Sequence, residues 1–174
     1  MKIYIMGSTG AGKSTLAKAL SKKYNIDYYE LDKLVYYRDN ITKHRKDEEI
    51  ANDFNQILKQ DSFIIEDIGR ERFKKGRDIC DKIYYIKLNK TRIYKQMVSR
   101  WFKQLKGKED YNVKPTIKNF FKNLKDVKLY SKLEKDIIKS LENNKDKVVF
   151  LDKKDINKII KGGKGCNIWK KKTK

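Results

Sequence analysis

Residues 2–15 read KIYIMGSTGAGKST. The β-branched and aromatic run Lys2 to Met6 breaks at Gly7 into a glycine-rich turn. From Ser14 onward Leu16, Ala17, Leu20 and Tyr24 recur at three-to-four spacing. A buried strand, a tight loop and a helix therefore follow one another without a linker. Within the stretch, GSTGAGKS matches G-x-x-x-x-G-K-[ST] at Gly7, Gly12, Lys13 and Ser14. That spacing aims successive backbone N–H groups of residues 7–15 (Gly7, Ser8, Thr9, Gly10, Ala11, Gly12, Lys13, Ser14, Thr15) at phosphate oxygens. Lys13 then reaches the β- and γ-phosphates, and the Ser14 hydroxyl is a ligand for Mg²⁺. The expected ligand is a nucleoside triphosphate.

Further along, alternation continues. Ile26 to Leu31 reads as a second strand ending at Asp32, and Arg45 to Lys59 as a helix. Ser62 to Ile65 is a third strand followed by Glu66 and Asp67, and Lys82 to Leu88 a fourth. A helix is expected over Thr91 to Leu105. The polar stretch Lys106 to Lys114 follows, then a long helical period from Ile117 to Leu141, a fifth strand at Asp146 to Leu151 and a last helix at Asp155 to Ile160. Strands alternating with helices predict an α/β fold, a five-stranded parallel sheet between two helical layers, with ligands at the carboxyl ends of the strands. Residues 1–161 are expected to form one domain, and 162–174 a basic C-terminal tail. The loop at Gly7, Asp32, and the pair Glu66 and Asp67 all fall at the same edge of the sheet. One of the two acids is expected to organise Mg²⁺; a one-residue shift in the strand end exchanges their directions, so the sequence leaves the choice open.

Composition narrows the classes further. The chain has 174 residues, with 44 Lys and Arg against 23 Asp and Glu, a net charge of +21. Nine glycines, one proline and two cysteines exclude collagen-like and disulfide-scaffold proteins. His44, Cys80 and Cys166 have no metal-ligand spacing. No run approaches a membrane span, and the expectation is a cytoplasmic protein, monomer or homodimer, without a membrane partner. Lysine dominates the positive charge, and Lys18, Lys22, Lys59, Lys103, Lys122, Lys139 and Lys158 are spread over different helices. This pattern leaves compositional drift and a nucleic-acid partner as alternatives.

On GSTGAGKST, LDKL at Leu31 to Leu34, SFIIED, KIYYIKLNKTR and the long helix before KVVFL, the chain resembles the adenylate-kinase-like small P-loop kinases. Within that group it is most similar to the DNA topology modulation protein family. It departs from that family in carrying Glu66-Asp67-Ile68-Gly69 after the third strand, and only Arg92 and Arg100 in the helix before the lid. The resemblance implies an ATP-dependent kinase using Mg²⁺, with a small helical lid over 103–114 and Arg100 neutralising charge on the transferring group. In small kinases of hydroxyl acceptors, a carboxylate placed like Asp32 holds the acceptor, and Arg70 or Arg72 contributes to its binding. The acceptor would then be a nucleoside, a nucleotide or another hydroxyl-bearing metabolite. A 5′-hydroxyl polynucleotide kinase or a DNA-binding ATPase is the alternative. Tyr28, Tyr29, Tyr36 and Tyr37 flank Asp32 as candidates for stacking or for core packing.

Overall fold

The computed structural model describes residues 1–37, 43–87, 89–108 and 115–161. Five parallel strands make one sheet: β1 (Lys2–Gly7), β2 (Tyr28–Glu30), β3 (Phe63–Asp67), β4 (Lys82–Ile86) and β5 (Val148–Leu151), in the order β2-β3-β1-β4-β5. Its helices are α1 (Lys13–Tyr24), α2 (Leu31–Val35), α3 (Asp47–Leu58), α4 (Lys74–Ile79), α5 (Lys90–Leu105), α6 (Ile117–Lys139) and α7 (Lys153–Ile160). β1 is central, between β3 and β4. The chain leaves it toward one edge and returns to the other side, so the loop after β1 lies at the switch point where such sheets bind ligands.

Alternation along the strands sorts the core into two layers. Tyr4, Met6, Phe63, Ile65, Ile83 and Tyr85 face α3 and the end of α6, whereas Ile3, Ile5, Ile64, Tyr84 and Ile86 face α1 and α7. A third, smaller cluster of Ile93, Met97 and Val127 joins α5 to α6.

Two short helices depart from the expected pattern. The second strand stops at Glu30, because Leu31 turns inward as the first residue of α2 and shares its buried face with Val35. α4 escaped the periodicity because its buried residues are Gly76 and Arg77 rather than an apolar pair. A Cβ at Gly76 would stand 3.0 Å from the rings of both Phe54 and Tyr4, so this helix approaches the sheet more closely than a side chain permits. Of the expected lid, residues 109–114 lie outside the described residues, as does the expected tail at 162–174. Among the described residues no helix is long and apolar enough to cross a membrane.

Cys80 closes α4 with its thiol donating to the Arg77 carbonyl at 3.1 Å, and burial pushes its pKa up to about 12. Thiol reagents should therefore label a Cys166→Ser variant only at the rate of unfolding. Fast labelling of the native variant by Ellman's reagent at pH 8 would contradict this burial.

Candidate functional site

Gly7 ends β1 with φ 150°, and a Cβ there would stand 2.9 Å from the Ile86 carbonyl oxygen. The loop can therefore leave the sheet between β1 and β4 only as glycine. Gly12, the residue before α1, has φ 95° and ψ 20°, a left-handed conformation costly for other residues, and a Cβ there would meet no protein atom. From it α1 starts with Lys13 and Ser14, its first-turn N–H groups directed along the helix axis toward the loop. Lys13 is buried, and its ammonium donates to the Ser8 carbonyl at 3.1 Å, while the Ala11 N–H donates to the same oxygen at 3.1 Å. The ammonium is thus held inside the curl of the loop.

Strand parity separates the two acids that sequence could not distinguish. Glu66 is two residues beyond Ile64 and shares its face, toward α1; Asp67 is two beyond Ile65 and faces the opposite layer. Accordingly the Ser14 hydroxyl donates to the Glu66 carboxylate, with Oγ 3.0 and 3.1 Å from its two oxygens. Burial raises the Glu66 pKa, the Lys13 charge and the Ser14 hydrogen bond oppose that rise, and Glu30 and Asp32 add to it. Asp67 is engaged elsewhere: it accepts from the N–H groups of Gly69 and Arg70 at 2.8 and 2.6 Å, from Tyr4 Oη at 3.4 Å and from Arg70 Nη1 at 2.5 Å.

The raised Glu66 pKa has a consequence for stability. An acid whose folded pKa lies above its unfolded one is penalised in the fold, and the penalty grows as pH rises from the ordinary glutamate range through the raised value. Glu66→Gln should therefore unfold at a higher urea concentration than the parent at pH 8, with the gap closing toward pH 4. A constant gap across that range would locate the effect elsewhere.

Arg70 spans the space between Asp67 and the second strand, its Nη2 paired with the Asp32 carboxylate at the start of α2. Asp32 remains 53% exposed beside that pair. Arg72 instead pairs with Asp47 at the first turn of α3. The residue that sequence reasoning missed is Arg77: its side chain is 1% exposed and donates to the Arg70 carbonyl at 2.8 Å and to Glu71 at 3.0 Å. Tyr4 was equally unannounced. Both support the turn that carries Arg70, and neither lies in a local motif that could have revealed it.

On the other flank, Met97 and Ile93 of α5 pack against Gly10, where a Cβ would stand 3.0 Å from Met97 Cγ. Arg100 is exposed and follows Ile93 by seven residues, which places it along the same side of α5 about two turns farther from the loop. The four tyrosines divide. Tyr28 packs on the α1 layer, and Tyr29 on the opposite layer with its hydroxyl on Gln60, while all four border a cleft of about 690 Å³ along the outer edge of β2. A second cleft, of about 680 Å³, lies past the C-terminus of α1 beside Asn25 and Asp61, at the opposite end of the sheet from the loop, and takes no part in this site.

The residues fit a triphosphate with Mg²⁺. The loop offers a left-handed glycine open on its Cβ side and a buried ammonium. Ser14 and Glu66 offer hard oxygens, the donor type Mg²⁺ takes in ones and twos, with water and phosphate completing the shell. Among the described residues no three His, Cys, Asp or Glu side chains gather into a closed metal cage.

A family model described as ABC transporter matches residues 1–152. No curated protein matches the chain. Among solved structures, a gluconokinase from Sinorhizobium meliloti 1021 is similar at 15% identity and a TM-score of 0.56, over 92% of this chain and 87% of that one. A sugar kinase from Janibacter sp. HTCC2649 is similar at 16% identity and 0.54, over 92% and 90%. An uncharacterized protein from Eubacterium ventriosum ATCC 27560 is similar at 21% and 0.52, over 93% and 97%. These likenesses establish the P-loop NTPase fold, which implies nucleotide binding, usually with Mg²⁺. The family model is described as a transporter and the first two structural neighbours as kinases.

Proposed function

Because this chain belongs to the family described as ABC transporter, and so to the P-loop NTPases, we propose that it binds MgATP at residues 7–15 and transfers the γ-phosphoryl group to a small hydroxyl-bearing acceptor at Asp32. The observation that carries the reading is the Asp67–Arg70–Asp32 chain of ion pairs, which holds a carboxylate and a guanidinium beside the Lys13, Ser14 and Glu66 cluster. Asp32 is near enough to that cluster to act on Glu66 electrostatically. The fold shared with two sugar kinases agrees with it.

In this mechanism the loop N–H groups and Lys13 neutralise the phosphate oxygens. Ser14 and Glu66 would hold Mg²⁺, which would supply further charge neutralisation to the triphosphate. Arg70 holds Asp32 in place, so Asp32 accepts a hydrogen bond from the acceptor hydroxyl and fixes its line of approach. A carboxylate that orients the hydroxyl suffices, since phosphoryl transfer passes through a loose transition state that needs positioning more than proton removal. In this reading Arg100 on α5 and Arg72, held on Asp47, are the further cations assigned to the developing charge and to the acceptor.

The test is MgATP turnover against a panel of sugars and polyols, nucleosides, nucleoside monophosphates and 5′-hydroxyl oligonucleotides, with Asp32→Asn alongside. Stimulation by one class, reduced about a hundredfold by Asp32→Asn through loss of positioning, is the expected result. The ABC transporter match favours a second reading, an ATPase coupled to a protein partner. Hydrolysis indifferent to every acceptor and to Asp32→Asn would select it.

A further inference from the structure

Lys118, Lys122, Lys125, Lys128, Lys132, Lys135 and Lys139 follow one another along α6 at intervals of three or four residues, and all seven are exposed. At 100° per residue they fall within about 140° of the helix circumference, and at 1.5 Å per residue they extend over about 30 Å. The lysines distributed among the other helices concealed this ridge. Among the described residues none of the seven is ion-paired; the pairs that lysine and arginine do form involve other elements. α5, joined to α6 through Ile93, Met97 and Val127, carries five basic residues and no acidic one.

At the N-terminal end of the ridge four rings form a continuous cluster. Trp101 lies 5.2 Å from Phe102 and 5.1 Å from Phe120, and Phe120 lies 5.9 Å from Phe121. Its two outer members are half exposed, Phe102 at 52% and Phe121 at 57%. Trp101 is tied to this arrangement by its indole N–H on the Pro115 carbonyl at 3.1 Å. Exposed rings adjoining a linear row of unpaired cations provide both elements of single-strand recognition, charge for the backbone and π-faces for the bases.

We infer that the α6 ridge and the Phe102–Phe121 platform bind single-stranded nucleic acid, the phosphodiester chain along the lysines and one or two bases on the rings. The order of residues around the helix favours this ligand over a lipid surface. By the same spacing Ile117 and Leu133 stand at the two edges of the lysine arc, Leu129 lies just inside one edge, and Asp136 is the one acid within it. An interfacial membrane helix has the reverse order, an apolar centre flanked by cations. This surface stands independently of the reading of the phosphate loop.

Fluorescence anisotropy with a labelled thirty-nucleotide poly(dT), between 50 and 200 mM NaCl, tests the assignment. Lys118, Lys122, Lys125 and Lys132 are changed together to Glu in one variant, and the exposed Lys18, Lys22, Lys59 and Lys158 in another of identical net charge. The ridge variant should lose at least thirtyfold more affinity at 100 mM NaCl than the control, and its salt slope should fall by about 0.7 for each phosphate that the protein no longer neutralises. Phe121→Ala should weaken binding by about fivefold or more with the salt slope unchanged. Nucleotide binding and helicity, measured on each variant, should remain those of the parent. Equal losses in the two charge variants, or no binding by the parent, would overturn the proposal. Ridge-dependent binding to vesicles of anionic phospholipid in place of poly(dT) would also overturn it.

Discussion

If the proposed phosphoryl transfer is correct, Lys13→Ala should lower MgATP turnover by about a hundred- to a thousandfold, the loss expected when one preorganised charge-stabilising group is removed from such a site. The size of the effect follows from placement. The Lys13 ammonium is buried under the loop, held by the Ser8 carbonyl, where water cannot replace it. It has a second duty, because its charge opposes the burial that raises the Glu66 pKa. Without it Glu66 holds its proton to higher pH, and the oxygen pair facing Ser14 loses the charge that suits a divalent cation. Lys13→Ala and Glu66→Gln should consequently be non-additive: the double variant should be scarcely slower than Lys13→Ala alone. Turnover measured at saturating Mg²⁺ across the pH range checks both parts. Multiplicative losses in the double variant would show that the two side chains act separately.

That coupling also marks how far local sequence could be read. The strand, glycine loop and helix over residues 2–24 were legible because a phosphate loop is a contiguous motif whose spacing carries its own geometry. The sheet was legible for a related reason: short apolar runs alternating with amphipathic helices have few other arrangements. The division of labour between Glu66 and Asp67 was not, since parity depends on where pairing with β1 begins. Nor was the partnership of Arg70 with Asp32, which joins positions 38 residues apart across two strand ends. Arg77 was invisible for yet another reason, because a guanidinium is buried only where tertiary structure supplies its acceptors, here the Arg70 carbonyl and Glu71. The lysine ridge required the opposite correction: counted by helix the lysines look dispersed, but seven of them share one face of α6.

Asp67→Ala should reduce both stability and activity, though Asp67 faces away from the loop. Its removal leaves the buried Tyr4 hydroxyl and the N–H groups of Gly69 and Arg70 without their acceptor, and the Arg70 guanidinium with Asp32 alone. Loss of several hydrogen bonds to one buried carboxylate should cost about 3 kcal/mol, or roughly 6–12 °C in Tm for a chain of this size. Asp67→Asn retains an oxygen for part of that network, so it should keep most of the stability. It nevertheless removes the charge that anchors Arg70, releasing the guanidinium and with it the orientation of Asp32. The two substitutions therefore separate folding from positioning. If the proposed acceptor site is correct, Asp67→Asn should raise the KM for the acceptor and lower acceptor-stimulated turnover about tenfold, while the affinity for ATP, set by Lys13 and the loop, remains unchanged. Thermal denaturation with acceptor and ATP titrations on the two variants measures each part. A folded Asp67→Asn protein with unaltered acceptor kinetics would mean that the Arg70 bridge shapes the turn after β3 and has no part in holding Asp32 for its substrate.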